Sequence, residues 1–386
     1  MTYELIETDE GLDALLERHS GERFVAVDTE FRRRDTFYPQ VALLQLCWRK
    51  ESYLIDPKKI SALASVRELL ADSRVIKLIH SPSEDLEVFD RWLQMTPTPL
   101  FDTQRALAVL GRGFGLGYRA MVEMYTGDVI SKEETTSDWL KRPLTDRQLS
   151  YAALDVTYLR QIGEQLYDAC EDRQRLAWVL DDTARLTLGG RGPAAKFKSA
   201  WKMKPREQAI LHRLIDWRDE EARRLDRPRS WVIPDKVMVS LAKRQPSHMA
   251  QLSTVDGLHD AIIKKRGKRI LEVIANASDD LSELPAGWQA PLRSDQKEWA
   301  STLGEAVATT AVTLGVAPEV LFASKDVERL IHATLESQEV PEDLLGWRDP
   351  VITQHLVALL VSLAGPSTDP KACLLYTSPS PRDEQS

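Results

Sequence analysis

Short runs of β-branched and aliphatic residues, separated by stretches with helical periodicity, fill the first hundred residues of the chain. The strand-like runs lie at 24–31, 41–48, 52–56, 75–80 and 99–102, and helical stretches lie at 61–71 and 83–93. Three strands before the first of these helical stretches predict an antiparallel start, and strands separated by helices predict parallel neighbours. The sequence therefore predicts an α/β domain with a mixed sheet.

The chain has 386 residues, more than one domain usually holds, so two or three domains are expected. Breaks rich in glycine and proline at 189–195 and 283–295 divide it into three units. We predict an α/β domain over 1–190 and a basic linker over 191–204. Two small helical bundles with periodic apolar positions follow over 205–282 and 295–365, joined by a linker over 283–294.

Charge is unevenly distributed along the chain. The net charge is −8, yet residues 191–270 carry 20 Lys and Arg against nine Asp and Glu. Within this basic segment lie the stretch at 191–206 and the run KKRGKR at 264–269. A solvated helix face and a charged turn would explain either run alone. Two such runs in an otherwise acidic chain favour contact with phosphate.

Two acidic residues end the first predicted strand, FVAVDTEF. Asp28 and Glu30 stand at i and i+2, so their side chains share one face of the strand. Neighbouring carboxylates of this kind suit Mg²⁺ or Mn²⁺, which prefer oxygen ligands. Taken alone, the pair is explained better by a solvated strand end.

A third acid, Asp85, follows the apolar run 75–80. Ser81 or Ser83 would cap a helix here and place Asp85 in its first turn. Compensation of the helix dipole by Glu84 and Asp85 is the alternative explanation.

A fourth acid lies in the stretch LTDRQLSYAALDVTYL. Thr145 and Gln148 fit a capping box, which places Tyr151 and Asp155 at i and i+4 on one helix face. An ordinary amphipathic helix with a half-buried Tyr151 is the alternative.

Taken together and in this order, these motifs resemble those of the DEDD exonuclease superfamily, and the tyrosine before the last Asp marks its tyrosine branch. The stretches DTEFRRRDTFYPQVALLQL, HSPSEDLEVF, FDTQ, GLGY and SDWLKRPLTDRQLSYAALDVTYL are similar to the ribonuclease D family. The helical segments at about 205–277 and 295–363 resemble its paired HRDC domains. The resemblance implies a ribonuclease-H-like α/β exonuclease domain followed by two small all-α domains.

The resemblance also implies a metal-dependent 3′–5′ exoribonuclease that releases 5′-mononucleotides, in tRNA 3′ processing. It implies two divalent ions, Mg²⁺ or Mn²⁺, with Asp28 bridging both. Glu30 and Asp155 would complete the first metal site, and Asp85 would hold the second. Tyr151 would orient the nucleophilic water, because a phenol with a pKa of about 10 is a poor base at pH 7.

Two other functions share parts of this pattern. A DNA-directed 3′–5′ exonuclease would use the same carboxylates, but the chain has no polymerase region and carries two HRDC-like units. A catalytically silent RNA-binding protein would tolerate the loss of a metal carboxylate, and all four are present.

Residues that would contact the RNA follow the first strand, end the apolar run 75–80 or lie in the basic segment. They are Arg33, Arg34, Phe37, Tyr38, His80, Lys264, Lys265 and Arg266. The arginines would bind phosphate and the aromatic rings would stack on a terminal base. A histidine that ends an apolar strand is more often structural. Asp102 in FDTQ is predicted to cap a helix rather than bind metal, and GRGFGLGY lacks the features of a P-loop, so no nucleotide cofactor is expected.

Features outside these motifs suggest the cellular setting. No apolar stretch reaches the ~18 residues of a membrane span, and the N-terminus has no signal-peptide pattern, so we expect a cytoplasmic protein without membrane contact. We also expect a monomer. The three cysteines are far apart and are expected to be reduced thiols. The stretch CLLYTSPSPRD resembles a translated sequencing adaptor, so residues 373–386 are expected to be non-native.

Overall fold

The structure is a computed structural model that describes residues 3–130, 134, 137–186, 192–277, 288–335 and 339–365. The predicted non-native tail at 373–386 lies outside the described residues, as do Cys373 and parts of both predicted linkers. Cys47 and Cys170 are buried free thiols.

Within its described residues, the first unit contains a six-stranded sheet and seven helices. The strands are β1 Tyr3–Ile6, β2 Phe24–Arg32, β3 Gln40–Trp48, β4 Glu51–Ile55, β5 Ile76–Ile79 and β6 Leu100–Asp102. The helices are α1 Asp9–Arg18, α2 Leu63–Ala71, α3 Ser83–Leu93, α4 Thr103–Val109, α5 Tyr118–Thr126, α6 Asp146–Asp172 and α7 Leu176–Ala184.

The sheet is mixed, as the sequence predicts. Its strand order is β1-β4-β3-β2-β5-β6. The pairs β2/β3 and β3/β4 are antiparallel, whereas β5 pairs in parallel with both β2 and β6. The sequence prediction missed β1 and α1. The four residues of β1 show no clean alternation, and the strand is defined only by its parallel pairing with β4.

Helices cover both faces of this sheet. The long helix α6 packs on the face that carries Ala26 and Leu43, and α3 packs on the face that carries Val25 and Val27. Gly163 permits the close approach of α6, because a Cβ atom there would lie 2.9 Å from Leu78 Cδ1. The central strand β2 is therefore enclosed between two helical layers.

Two helical units follow, with a similar succession of elements. The first contains α8 Pro205–Leu225, α9 Arg229–Val232, α10 Asp235–Arg244, α11 Met249–Leu252 and α12 Asp260–Ala275. The second contains α13 Ser294–Leu314, α14 Pro318–Leu321, α15 Ser324–Leu335 and α16 Gln354–Ala364. In the second, a short 3₁₀ helix at Glu342–Leu344 and a π-helical turn at Asp349–Thr353 precede α16. Each unit opens with a helix of 21 residues followed by one of four residues.

The described part of the segment predicted as a basic linker is folded and packs against the first helical unit. It forms short 3₁₀ helices at Pro193–Lys196 and Ala200–Lys202. Phe197 is buried in the core of the first helical unit, and Trp288 from the second predicted linker joins the same core. Burial of two large aromatic side chains explains why both segments pack against this unit.

Both helical units contact the α/β unit through specific polar groups. In the second unit, Arg348 forms a two-pronged ion pair with Asp182, at 2.5 and 2.8 Å, and both side chains are buried. The Trp347 ring stacks on Trp178 with 4.3 Å between centroids. The first unit is fixed through Asp226, whose Oδ1 atom accepts hydrogen bonds from the backbone of Phe37 and Tyr38.

Among the described residues, no single helix is long and apolar enough to cross a membrane. Ser294–Leu314 and Pro318–Leu335 meet the length and composition of a span only as a pair, and this pair is bent by 109°.

Candidate active site

Asp28 and Glu30 lie near the end of β2, on the face that α6 covers. Strand alternation places both side chains on this face, and the partners of these two residues on β3 are Gln45 and Leu43. The register between β2 and β3 shifts between Glu30 and Phe31. Both carboxylates are half-buried, so they line a crevice that remains open to solvent.

Helix α6 brings Tyr151 and Asp155 to the same crevice. The helix begins with the predicted capping box, in which Thr145 Oγ1 accepts from the backbone of Gln148 at 3.2 Å and Gln148 Oε1 accepts from the backbone of Thr145 at 3.0 Å. The Tyr151 hydroxyl donates to the Asp155 carboxylate, one turn further along the helix. The prediction that these two side chains share one helix face is confirmed.

Asp85 approaches β2 from the opposite helical layer. Strand β5 pairs with β2 only from Phe24 to Ala26, so β2 extends beyond it, and α3 begins shortly after β5 ends. Asp85 lies in the first turn of α3, as predicted. The predicted serine cap is wrong, because Pro82 occupies the N-cap and no side chain in the described part of the chain caps the helix.

Thr29, between the two acids of β2, connects this strand to α3. Its side chain lies on the face opposite Asp28 and Glu30, where Oγ1 donates to Asp85 Oδ1 at 2.5 Å. Both side chains are buried. Thr29 was not among the predicted site residues, although its place inside the D-x-E motif was a usable signal.

Burial raises the pKa of all four carboxyl groups, and repulsion from the other acids adds to the shift at Asp28 and Glu30. Burial raises the pKa of Asp85 to about 6 and that of Asp155 to about 7. The pKa of Asp28 lies well above its usual range because of burial and the negative charges of Asp85, Asp155 and Glu30. Burial, Asp155 and Asp85 likewise raise the pKa of Glu30. Acids far apart in sequence therefore lie close enough for Asp85 and Asp155 to raise the pKa of both Asp28 and Glu30.

These carboxylates fit a divalent cation by their chemistry. All are hard oxygen donors, and their raised pKa values indicate negative charge without a positive neighbour to balance it. The side chains are not closed around a centre: among the residues that the structure describes, no three His, Cys, Asp or Glu side chains are grouped to hold a metal ion. The donor set is therefore present by chemistry rather than as a closed coordination shell.

Tyr118, in the GLGY stretch, supports the helix that carries Asp155. Its hydroxyl donates to the backbone carbonyl of Asp155. The His80 ring packs edge-on against Tyr118 with 5.5 Å between centroids. The stretch GLGY predicted no role for Tyr118, because a contact across 37 residues leaves no local pattern.

His80 has structural partners. Its Nδ1 atom lies 2.9 Å from Thr103 Oγ1, and Thr103 in turn donates to the backbone of Ile79. Burial lowers the pKa of His80 to about 4, so the ring is neutral at pH 7 and offers no positive charge to a phosphate. The nearby Asp102 caps α4, as predicted, through a 2.8 Å hydrogen bond from the backbone of Gln104.

The loop after β2 requires a correction. Phe37 was predicted to stack on a base, but only 5% of its surface is exposed, and its ring packs between Arg223 and Arg229 of the first helical unit. Arg33 pairs with Glu87 at 2.6 Å and is also engaged within the protein. Phe37 is therefore not available to stack on a base, because helical-unit packing occupies its ring.

Tyr38 and Arg34 are less buried than Phe37. The Tyr38 ring is half-buried and lies beneath the Arg91 guanidinium at 4.3 Å. Arg34 is exposed.

The basic run KKRGKR lies inside α12, not in a turn. Lys264 and Lys265 are exposed, whereas Arg266 lies 3.5 Å from Glu221 in an ion pair. Gly267 within the run faces the core, where a Cβ atom would lie 2.9 Å from the Met249 methyl carbon. Lys264 and Lys265 therefore present charge to solvent, whereas Arg266 is engaged within the first helical unit.

Comparisons with known proteins agree with this architecture. Residues 3–171 match the family model of a 3′-5′ exonuclease, and residues 207–274 match the HRDC domain. The chain is 36% identical to ribonuclease D of Pseudomonas paraeruginosa, over 88% of this chain and 92% of that protein. It is 32% identical to ribonuclease D of Escherichia coli, over 93% of this chain and 99% of that protein.

A solved structure has the same fold over nearly the whole chain. It is the crystal structure of Escherichia coli RNase D, described as an exoribonuclease involved in structured RNA processing. The TM-score is 0.82 at 31% sequence identity, covering 93% of this chain and 99% of the other.

Proposed function

The chain belongs to the ribonuclease D family of metal-dependent 3′–5′ exoribonucleases, and on this premise we propose that four carboxylates hold two divalent ions, Mg²⁺ or Mn²⁺. The four are Asp28, Glu30, Asp85 and Asp155. One observation carries the proposal: in a single crevice, the acids of α3 and α6 raise the pKa of both acids on β2. Two divalent ions would balance four negative charges of this kind.

When bound, two such ions activate a water molecule, neutralise charge on the phosphate and stabilise the departing 3′ oxygen. Asp28 would contact both ions, because the charges of Asp85, Asp155 and Glu30 all act on it. Glu30 and Asp155, which share a face with Asp28, would complete one site, and Asp85 would hold the other. Thr29 keeps one oxygen of Asp85 hydrogen-bonded, so this carboxylate has a defined orientation.

Tyr151 would orient the attacking water. Burial and the charges of Asp155, Glu30 and Asp28 raise its pKa, so the phenol stays protonated at neutral pH and cannot act as a base. Its hydrogen goes to Asp155, which leaves the phenol oxygen free to accept a hydrogen bond from water. A positioning role follows from this geometry.

We propose that the substrates are structured RNA 3′ ends, tRNA precursors among them, and that the products are 5′-mononucleotides. The Escherichia coli relative is described as acting in structured RNA processing, which favours RNA over a DNA-directed role. The exposed Lys264 and Lys265 of the first helical unit would hold RNA phosphates. We also propose that the chain acts as a monomer in the cytoplasm.

The test is digestion of an RNA with a free 3′ hydroxyl, beside a DNA of the same sequence, with Mg²⁺ or Mn²⁺. Wild type should release 5′-mononucleotides from the RNA, and Asp85→Asn should abolish release. Glu84→Gln, which removes an exposed acid from the same helical turn, should retain activity. Preference for DNA would support the alternative exonuclease. RNA binding without product, or full activity of Asp85→Asn, would contradict the proposal.

A further inference from the structure

One buried polar side chain has no role in the site described so far. Gln45 lies in β3 among buried leucines, and none of its surface is exposed. Within the described ranges, neither the nitrogen nor the oxygen of its side-chain amide has a hydrogen-bond partner. Burying an amide without partners costs free energy, so an apolar residue of similar size would suit the fold better.

The register of the sheet gives this amide one polar neighbour. Gln45 stands directly opposite Asp28 on β2 and opposite Leu54 on β4. Residues directly opposite in an antiparallel pair share a face, with Cβ atoms about 4.5–5.5 Å apart. The amide therefore lies beside Asp28 on the buried side of the crevice, within reach of the carboxylate after a side-chain rotation.

We propose that Gln45 is a positioning residue for Asp28. After that rotation, its side-chain N–H group would donate to the ionised Asp28 carboxylate and fix the orientation in which this carboxylate faces divalent ions. Hydrogen bonds to a charged acceptor in a buried site are the strong ones, and partners behind a metal ligand commonly set metal affinity. The role rests on the proposed assignment of Asp28 as a metal ligand.

A purely structural role for Gln45 predicts a different effect of its replacement on stability and on ion binding. If Gln45 served only the fold, for instance through an internal water molecule, its replacement by an apolar residue would lower stability and leave ion binding unchanged. If it serves Asp28, the same replacement removes an unpaired polar group from the core. Stability is then retained or raised while ion binding weakens.

The test measures Mn²⁺ binding to the intact chain by calorimetry, without RNA, together with thermal unfolding of the metal-free protein. Gln45→Met should weaken Mn²⁺ binding by about 10- to 100-fold and leave the melting temperature equal or higher. Leu54→Met is the matched control, since it alters packing on the other side of Gln45 without removing a polar group. Its Mn²⁺ affinity should equal that of wild type.

Three outcomes would overturn the proposal. Gln45→Met could bind Mn²⁺ as wild type does, or Leu54→Met could lose affinity equally. Gln45→Leu serves as a second variant, and failure of both Gln45 variants to fold would assign the amide to the fold alone. Asp28→Asn separates this inference from the assignment of the site. If Asp28→Asn binds Mn²⁺ normally, the assignment of Asp28 as a metal ligand fails. If Asp28→Asn loses Mn²⁺ binding but Gln45→Met binds Mn²⁺ normally, only the role of Gln45 fails.

Discussion

Thr29 donates its hydroxyl hydrogen to Asp85 Oδ1 at 2.5 Å and thereby joins the strand that carries two acids of the crevice to the helix that carries a third. The two residues are 56 positions apart in sequence, and both are buried. Because Thr29 lies on the opposite face from Asp28 and Glu30, β2 contributes to the site from both of its faces. The crevice is thus assembled around one strand.

Removing this hydroxyl should impair catalysis, because Asp85 loses the hydrogen bond that sets its orientation. Thr29→Val keeps the shape of the side chain but removes a hydrogen bond to a charged group, worth about 1.5–3 kcal/mol. We expect kcat/KM to fall by about tenfold or more, measured on an RNA with a free 3′ hydroxyl. Thr29→Ser keeps the donor and should stay close to wild type. Equal activity of the Val and Ser variants would contradict this role.

The raised carboxyl pKa values predict an inverse dependence of stability on pH. Asp85 and Asp155 have pKa values of about 6 and 7 when folded, against about 3.9 when unfolded. The folded state therefore binds more protons between pH 4 and 7, so this contribution to stability is present at low pH and is lost as pH rises through 6 to 7.

Thermal unfolding of the metal-free protein checks this pH dependence. The melting temperature should rise as pH falls from 8 towards 5.5, and the trend should weaken in Asp155→Asn. Saturating Mg²⁺ at pH 8 should raise the melting temperature, because an ion that binds only the folded state stabilises it. A metal-free melting temperature that rises from pH 5.5 to 8 would contradict the assigned shifts.

Asp226 should couple the first helical unit to the loop after β2. Its Oδ1 atom accepts from the backbone of Phe37 and Tyr38, each at 3.0 Å. Asp226 has a φ of 47°, so Asp226→Gly removes the carboxylate without backbone strain. We expect a loss of about 2 kcal/mol in unfolding free energy and a lower kcat/KM.

Asp226→Asn is the matched variant for this contact, since its amide oxygen can still accept both hydrogen bonds. It should lie between wild type and Asp226→Gly in urea unfolding. If Asp226→Gly unfolds at the wild-type urea concentration, the contact contributes nothing to stability.

The contact between α6 and β5 should tolerate no added methyl group. A Cβ atom at Gly163 would lie 2.9 Å from Leu78 Cδ1, and Leu78 is fully buried. We expect Gly163→Ala to lower the free energy of unfolding by about 1–3 kcal/mol. In α13, the new Cβ of Gly304→Ala would meet no atom of the described residues within 4 Å, so this variant should be more stable by about 0.5–1 kcal/mol. Chemical denaturation of both variants measures the difference.

The exposed lysines of α12 should set the salt dependence of RNA binding. Replacing Lys264 and Lys265 with alanine should lower the slope of log affinity against log salt by roughly one unit for each phosphate that the protein no longer binds. Arg266, paired with Glu221, should contribute less. Lys297→Ala alters an exposed lysine of the second helical unit and should leave the slope unchanged. An unchanged slope in the double variant would show that these lysines are solvated and do not contact RNA phosphates.

Local patterns in the sequence predicted what neighbouring residues decide. The capping box at Thr145 and Gln148 fixed the start of α6, and alternation along β2 placed Asp28 and Glu30 on one face. The same local logic predicted the Asp102 cap and failed at α3, where the N-cap residue is Pro82. Short-range hydrogen bonds and periodicity depend on residues that are close in sequence, so they can be recognised without a structure.

Contacts between distant segments had no such signal. An arginine and aromatic loop suggests RNA contact in sequence, yet the ring of Phe37 is occupied by Arg223 and Arg229 of another unit. Phe197 and Trp288, placed in linkers by composition, complete a core instead. Which surface buries an aromatic side chain depends on the partner that packs against it, and composition does not identify that partner.

The sequence by itself determined the mixed α/β domain, the helical units and the acids able to bind metal, because spacing and residue type dictate strands, helices and ligand chemistry. Only the tertiary structure decided that β2 lies between α3 and α6, so that Thr29 holds Asp85 while Gln45 lies buried beside Asp28. The physical reason is that strand register and layer packing bring together residues whose separation along the chain carries no information about their distance in space.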